Sequence, residues 1–161
     1  MIPKISLYLL TLAELVSLKT SPSRLGDLEL IDGSLPPDFI IDAAITEIEK
    51  GCDVFWYGFF LFVLDGSMAV GSGGFRGKPE NGRVEVGYGV AESFQGKGIA
   101  TISITQLTQL ALERSDVAEV FAETSVSNIA SRRVVEKVGF HCIGQRDTIA
   151  DGLVDQWSIS L

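Results

Sequence analysis

Histidine and cysteine are scarce in the sequence, which holds one histidine, His141, and two cysteines, Cys52 and Cys142. The cysteines lie far apart and outside any C-x-x-C spacing, so buried or idle thiols are the simplest interpretation. Zinc sites of the usual kind draw on several closely spaced histidines and cysteines, and the sequence has no such group. We therefore expect no metal centre, and a structural role for His141 at the start of a strand.

Positive charge is also in short supply, with 13 lysines and arginines against 21 acidic residues and a net charge of −8. Proteins that bind nucleic acid need a basic surface, so we expect no nucleic-acid partner. A negative surface suits a cationic or amine partner better, although it also serves solubility alone.

Long hydrophobic runs are missing as well. The segment from Ile5 to Leu18, preceded by Lys4, loosely resembles a signal peptide, but Glu14 interrupts it and no small-residue cleavage site follows. No uninterrupted apolar run approaches the length of a transmembrane helix. We expect no membrane partner and a cytoplasmic protein.

The remaining composition is typical of a folded domain. Of 161 residues, 46% are hydrophobic and 21% charged, which suffices for one core without disulfide or metal support. Internal repeats, low-complexity segments and linkers are lacking. We predict a single domain over residues 1–161.

The first third of the chain mixes strand and helix signals. Lys4–Leu10 is typical of a strand, and Thr11–Leu18 of a short helix with a capping box formed by Thr11 and Glu14. Ser21–Pro37 is loop-rich. Asp38–Lys50 has apolar residues at helical spacing, and a glycine follows it as a cap.

An antiparallel meander is predicted next. Phe55–Leu64 is rich in aromatic and branched residues, which is typical of a buried strand. Short reversals then connect it to Met68–Phe75 and to Val84–Val90. The glycines within Gly71–Arg76 indicate a bulge or a close approach of strands.

The following segments indicate a crossover. Thr101–Thr105 alternates with period two, which alone favours a strand, but apolar residues recur at helical spacing over the longer window to Glu113, which favours a helix. Val117–Thr124 is then a strand parallel to the last strand of the meander. Asn128–Val138 is predicted to be a helix with Ala130, Val134 and Val138 on its packed face, ended by a glycine. Val154–Leu161 closes the sheet as an edge pair, which gives one α+β domain with a mixed sheet.

The segment Gln95-Gly96-Lys97-Gly98-Ile99-Ala100 lies between the meander and the predicted crossover helix. Glycines expose successive backbone N–H groups, and the start of a helix adds the positive end of its dipole. Lys97 brings a mobile positive charge, so the segment predicts a phosphate-binding loop. Taken alone, it is also compatible with a simple turn before a helix.

Three motifs in order resemble the GNAT superfamily of acetyl-CoA-dependent N-acetyltransferases. Gln95–Ala100 resembles the Q/R-x-x-G-x-G/A pyrophosphate loop, and Val84–Tyr88 resembles the E-I-G-Y strand before it. Asn128–Ser131 resembles an N-x-x-S motif, and Glu136–Phe140 the E-K-x-G-F ending. The resemblance implies a three-layer α/β arrangement: a twisted, mostly antiparallel sheet with helices on both faces and a parallel strand pair splayed apart at the cofactor site.

The resemblance also implies the coenzyme contacts. The pyrophosphate would meet the glycine loop, the pantetheine arm would pair with the end of the preceding strand, and the N–H of Val90 would polarise the thioester carbonyl. The implied binding residues are Tyr88, Gly89, Val90, Gln95, Gly96, Lys97, Gly98, Ile99, Ala100, Thr101, Asn128 and Ser131. Arg132 and Arg133 are either contacts of the 3′-phosphate or surface charges. Asn128 also suits the role of helix N-cap, and Tyr88 suits sheet packing.

Glu85 is the implied catalytic base, with a carboxylate bound within the sheet or facing solvent as the alternative, and Glu123 is the second candidate. The tyrosine that protonates the leaving thiolate in many family members falls on Val135 here, which puts that role in doubt. The N-x-x-S motif resembles the subgroup that acetylates the N-termini of ribosomal proteins, in which the serine is proposed to contact the sulfur. Ser131 is therefore the implied donor, unless it only caps or packs the helix.

Two hypotheses of function follow. The first is an N-acetyltransferase that moves the acetyl group of acetyl-CoA to a primary amine by direct attack, because no cysteine–histidine pair is apparent to hold the acyl group. The acceptor is a small molecule or a protein N-terminus, and a homodimer is left open. The second is a catalytically silent module that binds acyl-CoA as a sensor or partner.

Overall fold

The computed structural model describes residues 2–161, which contain nine strands and five α-helices. The strands are β1 (Ile5–Leu9), β2 (Arg24–Leu25), β3 (Leu28–Leu30), β4 (Phe60–Leu64), β5 (Met68–Phe75), β6 (Arg83–Val90), β7 (Glu119–Ser125), β8 (His141–Thr148) and β9 (Gly152–Ser160). The helices are α1 (Leu12–Ser17), α2 (Asp38–Glu49), α3 (Val54–Tyr57), α4 (Ile99–Leu112) and α5 (Ile129–Val138).

The strands form one sheet in the order β1-β4-β5-β6-β7-β9-β8, and β2 and β3 add a short hairpin beside the start of β5. Neighbours along that order are antiparallel except for β6 and β7, and β3 meets β5 in a two-residue parallel pair. The predicted mixed, mostly antiparallel sheet is thereby confirmed. Within residues 2–161, no helix is both long and apolar enough to cross a membrane.

Helices cover both faces of the sheet, as predicted. Alternate side chains of β4 enter two cores: Phe60 and Phe62 pack with α4 and α5, while Leu61 and Val63 pack with α1 and α2. This alternation follows from the two-residue period of a strand buried on both faces.

The capping box at the start of α1 is present, because Thr11 Oγ1 accepts from the N–H of Glu14 at 3.2 Å and Glu14 Oε1 accepts from the N–H of Thr11 at 2.9 Å. The meander is confirmed, and its register shifts between Phe62 and Val63 of β4, where Val70 of β5 is the extra residue. A Cβ at Gly73 would lie 2.7 Å from Phe62 Cζ and 2.8 Å from the carbonyl oxygen of Gly87, so only glycine permits this close approach.

The predicted strand Phe55–Leu64 is wrong in its first part. Residues 54–57 form α3, capped by Asp53, whose carboxylate accepts from the N–H of Phe55 at 3.0 Å. The helical turn buries Trp56 and stacks the ring of Phe55 against Phe75 at 5.5 Å. Aromatic residues favour strands, which explains the error, whereas the carboxylate of Asp53 is a favourable helix N-cap.

The crossover helix and the C-terminal elements match the prediction in type, with two corrections. The packed face of α5 is centred on the fully buried Val135, whereas Ala130 is exposed. At the C-terminus, β9 lies inside the sheet between β7 and β8, so β8 is the edge strand of that pair. Gly139 ends α5 with a φ of 113°, a left-handed conformation that glycine adopts without strain.

Candidate active site

The parallel strands β6 and β7 separate partway along their length. Three residue pairs join them, and the last is Glu85 with Phe121. Beyond that point β6 stays with β5 as far as Val90, and β7 stays with β9 as far as Ser125. A gap opens between the two strands, and we call it the wedge.

The backbone of β6 points into the wedge at every second residue. The N–H of Ala91 donates to the carbonyl oxygen of Val70, and the N–H of Arg76 donates to the carbonyl oxygen of Glu85. In an antiparallel pair, every second residue of a strand bonds to the same neighbouring strand, so these two bonds show which residues of β6 bond to β5. Residues 85, 87, 89 and 91 therefore bond to β5, and the N–H and C=O groups of Tyr88 and Val90 face the wedge. Gln95 Nε2 donates to the carbonyl oxygen of Val90 at 3.0 Å, which fixes the chain where it leaves the strand.

The glycine loop leads from β6 to α4. Gly96 and Gly98 have φ angles of 75° and 82°, and a Cβ on either would meet no described atom within 4 Å. Gly98 is the N-cap of α4, and no side chain of the described residues caps this helix. The N–H groups at the start of α4 are thus exposed to an anion. Lys97 stands over the ring of Phe94 at 5.2 Å.

The first turn of α5 follows the end of β7, the second strand that borders the wedge. Asn128 is its N-cap and accepts from the N–H of Ser131 at 3.0 Å, so the capping role is confirmed. The hydroxyl of Tyr88 is enclosed by protein and has no hydrogen-bond partner among the described residues. Arg132 is directed to the buried Asp155 at 3.5 Å.

Glu85 lies where the two strands part. Burial raises the pKa of its carboxyl group, the guanidinium of Arg76 at 3.1 Å opposes that shift, and the charge of Glu123 adds to it. The net effect is a raised pKa, which suits a general base that must take up a proton near neutrality. Arg76 lies over Gly87, where a Cβ would stand 3.4 Å from its guanidinium.

Glu123, the second candidate for the base, is held by other side chains. Arg146 donates to its two oxygens at 2.7 and 2.6 Å, and Gln156 donates at 3.2 Å. The hydrogen bonds from Arg146 lower the pKa of Glu123. A carboxylate bound in this way is a poor proton acceptor.

A cavity of about 590 Å³ lies on the face of the sheet that Glu85 occupies. Its floor includes Gly87, Tyr88 and Gly89, and its walls come from α2, α3 and the loop before α2. Of its described lining residues, Glu47 and Arg76 are charged, and most of the rest are apolar. The sequence gave no signal for the position of Arg76 at this cavity.

The other isolated candidates stay apart from this site. Cys142 is exposed on β8, Cys52 is half-buried after α2, and both are free thiols. His141 starts β8, as predicted. No cluster of metal-ligating side chains occurs within the described chain.

Comparisons with known proteins agree with this geometry. A family model described as an acetyltransferase (GNAT) domain matches residues 37–141. The uncharacterized N-acetyltransferase YjdG of Bacillus subtilis (strain 168) is 36% identical over 72 residues, which cover 44% of this chain and 43% of YjdG. The match thus spans less than half of that relative.

Two solved structures share the fold. RimL, a ribosomal L7/L12 alpha-N-protein acetyltransferase in complex with coenzyme A, is 19% identical with a TM-score of 0.71, and 98% of this chain and 94% of that chain align. The aminoglycoside acetyltransferase AAC(6')-Ib in complex with coenzyme A is 19% identical with a TM-score of 0.67 over 98% and 95% of the two chains. The family model covers most of this chain, and the structure has both the splayed strands and the glycine loop. This chain therefore belongs to the GNAT family of acetyltransferases.

Proposed function

We propose that this protein is an N-acetyltransferase that moves the acetyl group of acetyl-CoA to a primary amine by direct attack. The observation that carries the proposal is the position of Glu85. Its half-buried carboxylate lies at the last pair of the parallel strands, where the wedge opens, and pairs at 3.1 Å with Arg76, which lines the cavity that we assign to the acceptor.

The coenzyme would lie in the wedge. Its pyrophosphate would accept from the N–H groups of the glycine loop and the first turn of α4, residues 96–101. The amides of the pantetheine arm would pair with the backbone of Tyr88 and Val90, and Asn128 would offer its remaining polar group. The N–H of Val90 would donate to the thioester oxygen as negative charge develops there.

The acetyl transfer needs one base and one leaving group. The amine nitrogen forms a bond to the carbonyl carbon, the C–S bond breaks, and its electron pair leaves with the sulfur. The proton of the amine goes to Glu85, directly or through a water molecule. No acyl-enzyme forms, because no cysteine or serine near the wedge has a histidine partner among the described residues.

The acceptor cavity favours an amine with an apolar body. Phe39, Ile40 and Phe59 supply apolar walls, and Glu47 is the carboxylate among its lining residues. A polycation would leave several charges unpaired in such a cavity, at a cost in binding free energy. We therefore infer an acceptor with one amine next to an apolar group.

A catalytically silent acyl-CoA-binding module is the second candidate. Val135, at the position of the general-acid tyrosine of similar proteins, is fully buried and has no polar group. Glu85, with its raised pKa, speaks for catalysis instead.

An amine screen with matched glycine variants separates the two. We expect release of free thiol from acetyl-CoA with at least one apolar amine, and calorimetric binding of coenzyme A that Gly98→Leu weakens at least tenfold, because the side chain would fill the phosphate site. Gly66→Leu is the control, since Gly66 has a similar φ of 71° in an open turn away from the wedge. Binding without thiol release on any amine would favour the silent module.

A further inference from the structure

Arg76 is the cationic side chain of the acceptor cavity, and the transfer described above gives its donors no ligand. Among the described residues that line the cavity, no other side chain carries a positive charge. Glu85 is its one ion-pair partner within residues 2–161, through Nε at 3.1 Å, and 64% of the Arg76 side chain is exposed. An arginine presents a planar fork of N–H donors, so donors of Arg76 remain available to a ligand in the cavity.

The sheet beside Arg76 presents almost no side chains to the cavity. Arg76 lies opposite Glu85 at the end of the β5–β6 ladder, and the next pairs on the same face are Gly74 with Gly87 and Ser72 with Gly89. A Cβ at Gly89 would meet no described atom within 4 Å. The floor of the cavity is therefore bare backbone, which leaves room for a ligand next to the guanidinium.

The wall of the cavity opposite this floor is apolar. Phe39, in the first turn of α2, lines the cavity together with Pro36 and Ile40, and 70% of Phe39 is exposed. A ligand with an apolar group would cover this ring and remove its surface from water, which favours binding.

The charges at the mouth of the cavity favour a ligand that carries both signs. Because Glu85 and Arg76 contact each other, they offer a negative and a positive group at adjoining positions. A ligand with an ammonium group alone would bring a second positive charge to the guanidinium, and like charges repel. In an α-amino acid, the amine and the carboxylate flank a single carbon atom, and a carboxylate matches the fork of an arginine.

We propose that the acceptor is an α-amino acid with a free carboxylate and an apolar side chain: Arg76 binds the carboxylate, the amine faces Glu85, and the side chain packs on Phe39. This inference rests on the proposed acetyl transfer at the same site. The amine nitrogen bonds to the acetyl carbon, the C–S bond breaks with its electron pair on sulfur, and the amine proton goes to Glu85. The product is an N-acetyl amino acid.

The first test compares L-leucine with L-leucinamide, which has the same side chain and no carboxylate. It is run at a pH on the plateau of every variant, so that a change in the pKa of Glu85 does not enter. Arg76→Leu should lower kcat/KM about 30-fold for leucine and less than about threefold for leucinamide, because a hydrogen-bonded charge pair is lost only with leucine. Arg76→Lys should recover part of the loss, since it keeps the charge without the fork.

Arg83→Leu is the matched control for this comparison. Arg83 pairs with Glu119 at 3.0 Å and is not among the residues that line the cavity. Its kcat/KM should equal that of the wild type with both acceptors. Thermal unfolding checks that each variant is folded.

The second test measures binding without transfer, by calorimetric titration of L-leucine into protein saturated with coenzyme A. Arg76→Leu should weaken leucine binding at least about tenfold. Phe39→Ala should weaken leucine binding about fivefold and leave the binding of L-alanine nearly unchanged, because less apolar surface is buried. Ile143→Ala is the control, since Ile143 is also an exposed apolar residue, at 55%, and lies on β8 outside the cavity lining.

The outcomes separate this inference from the proposed function. If Arg76→Leu lowers kcat/KM equally for leucine and leucinamide, or if the dipeptide leucyl-alanine is acetylated while leucine is not, the amino-acid acceptor is wrong and the acetyl transfer stands. If leucine binds through Arg76 but no amine releases thiol from acetyl-CoA, the proposed transfer is wrong and the recognition of the amino acid stands.

Discussion

Glu85 and Glu123 stand on neighbouring strands, on the same face of the sheet, with similarly covered side chains, of which 21% and 14% are exposed. Their pKa values nevertheless move in opposite directions. Glu123 accepts three hydrogen bonds, whereas Glu85 has an ion pair with Arg76 and accepts no side-chain hydrogen bond from the described residues. Burial is the main cause of the raised pKa of Glu85, and the hydrogen bonds from Arg146 are the main cause of the lowered pKa of Glu123, so burial and partners together decide which carboxylate is suited to act as a base.

The largest expected effect is on kcat, and it should distinguish Glu85 from Glu123. Glu85→Gln should lower kcat by about 10²–10³-fold while coenzyme binding stays nearly intact, because the amide cannot accept the proton of the amine. Glu123→Gln is the matched control and should lower kcat by less than about fivefold. Steady-state kinetics with calorimetry measures both, and equal losses in the two variants would contradict the assignment.

A smaller effect concerns pH. Activity should rise with pH as Glu85 loses its proton, at a pH above the usual range of a carboxylate, since its pKa is raised. Arg76→Leu removes the group that holds this pKa down, so the acid limb of kcat/KM should move to higher pH and activity at mildly acidic pH should fall several-fold.

Arg83→Leu is the control for that profile, because Arg83 pairs with Glu119 at 3.0 Å and is not among the groups that shift the pKa of Glu85. The acid limb of kcat/KM against pH should be the same in Arg83→Leu as in the wild type. If the acid limb of Arg76→Leu also stays at the wild-type pH, a group other than Glu85 determines the pH profile.

The smallest effect is on stability. The pKa of Glu123 is lower in the folded protein than in the unfolded chain, so its contribution is present above its unfolded pKa and is lost as the pH falls through the folded pKa. Glu123→Gln should lower the free energy of unfolding by about 1 kcal/mol at pH 7, a small value because Arg146 is half-exposed. Denaturant titrations should show this difference vanish in acid. A difference that persists there would mean that packing is responsible.

The sequence allowed prediction of most elements because their signals are local. The capping box of α1 and the glycine that ends α5 each lie within a few residues of the structure they set. The prediction failed at α3, because the aromatic residues were given more weight than the cap at Asp53. It also failed on the packed face of α5, where Val135 is the fully buried residue. Both errors arose because aromatic content and helical spacing do not show which surface is available for packing.

The glycine loop, the strand before it and the helix cap after it were determined by the sequence itself, because backbone conformation and exposed N–H groups follow from residue type at adjacent positions. The tertiary structure decided which carboxylate is free of hydrogen bonds from other side chains, and where Arg76 lies. Those contacts join strands and helices that are distant in the chain, and their pKa shifts depend on burial and on partners that only packing brings together.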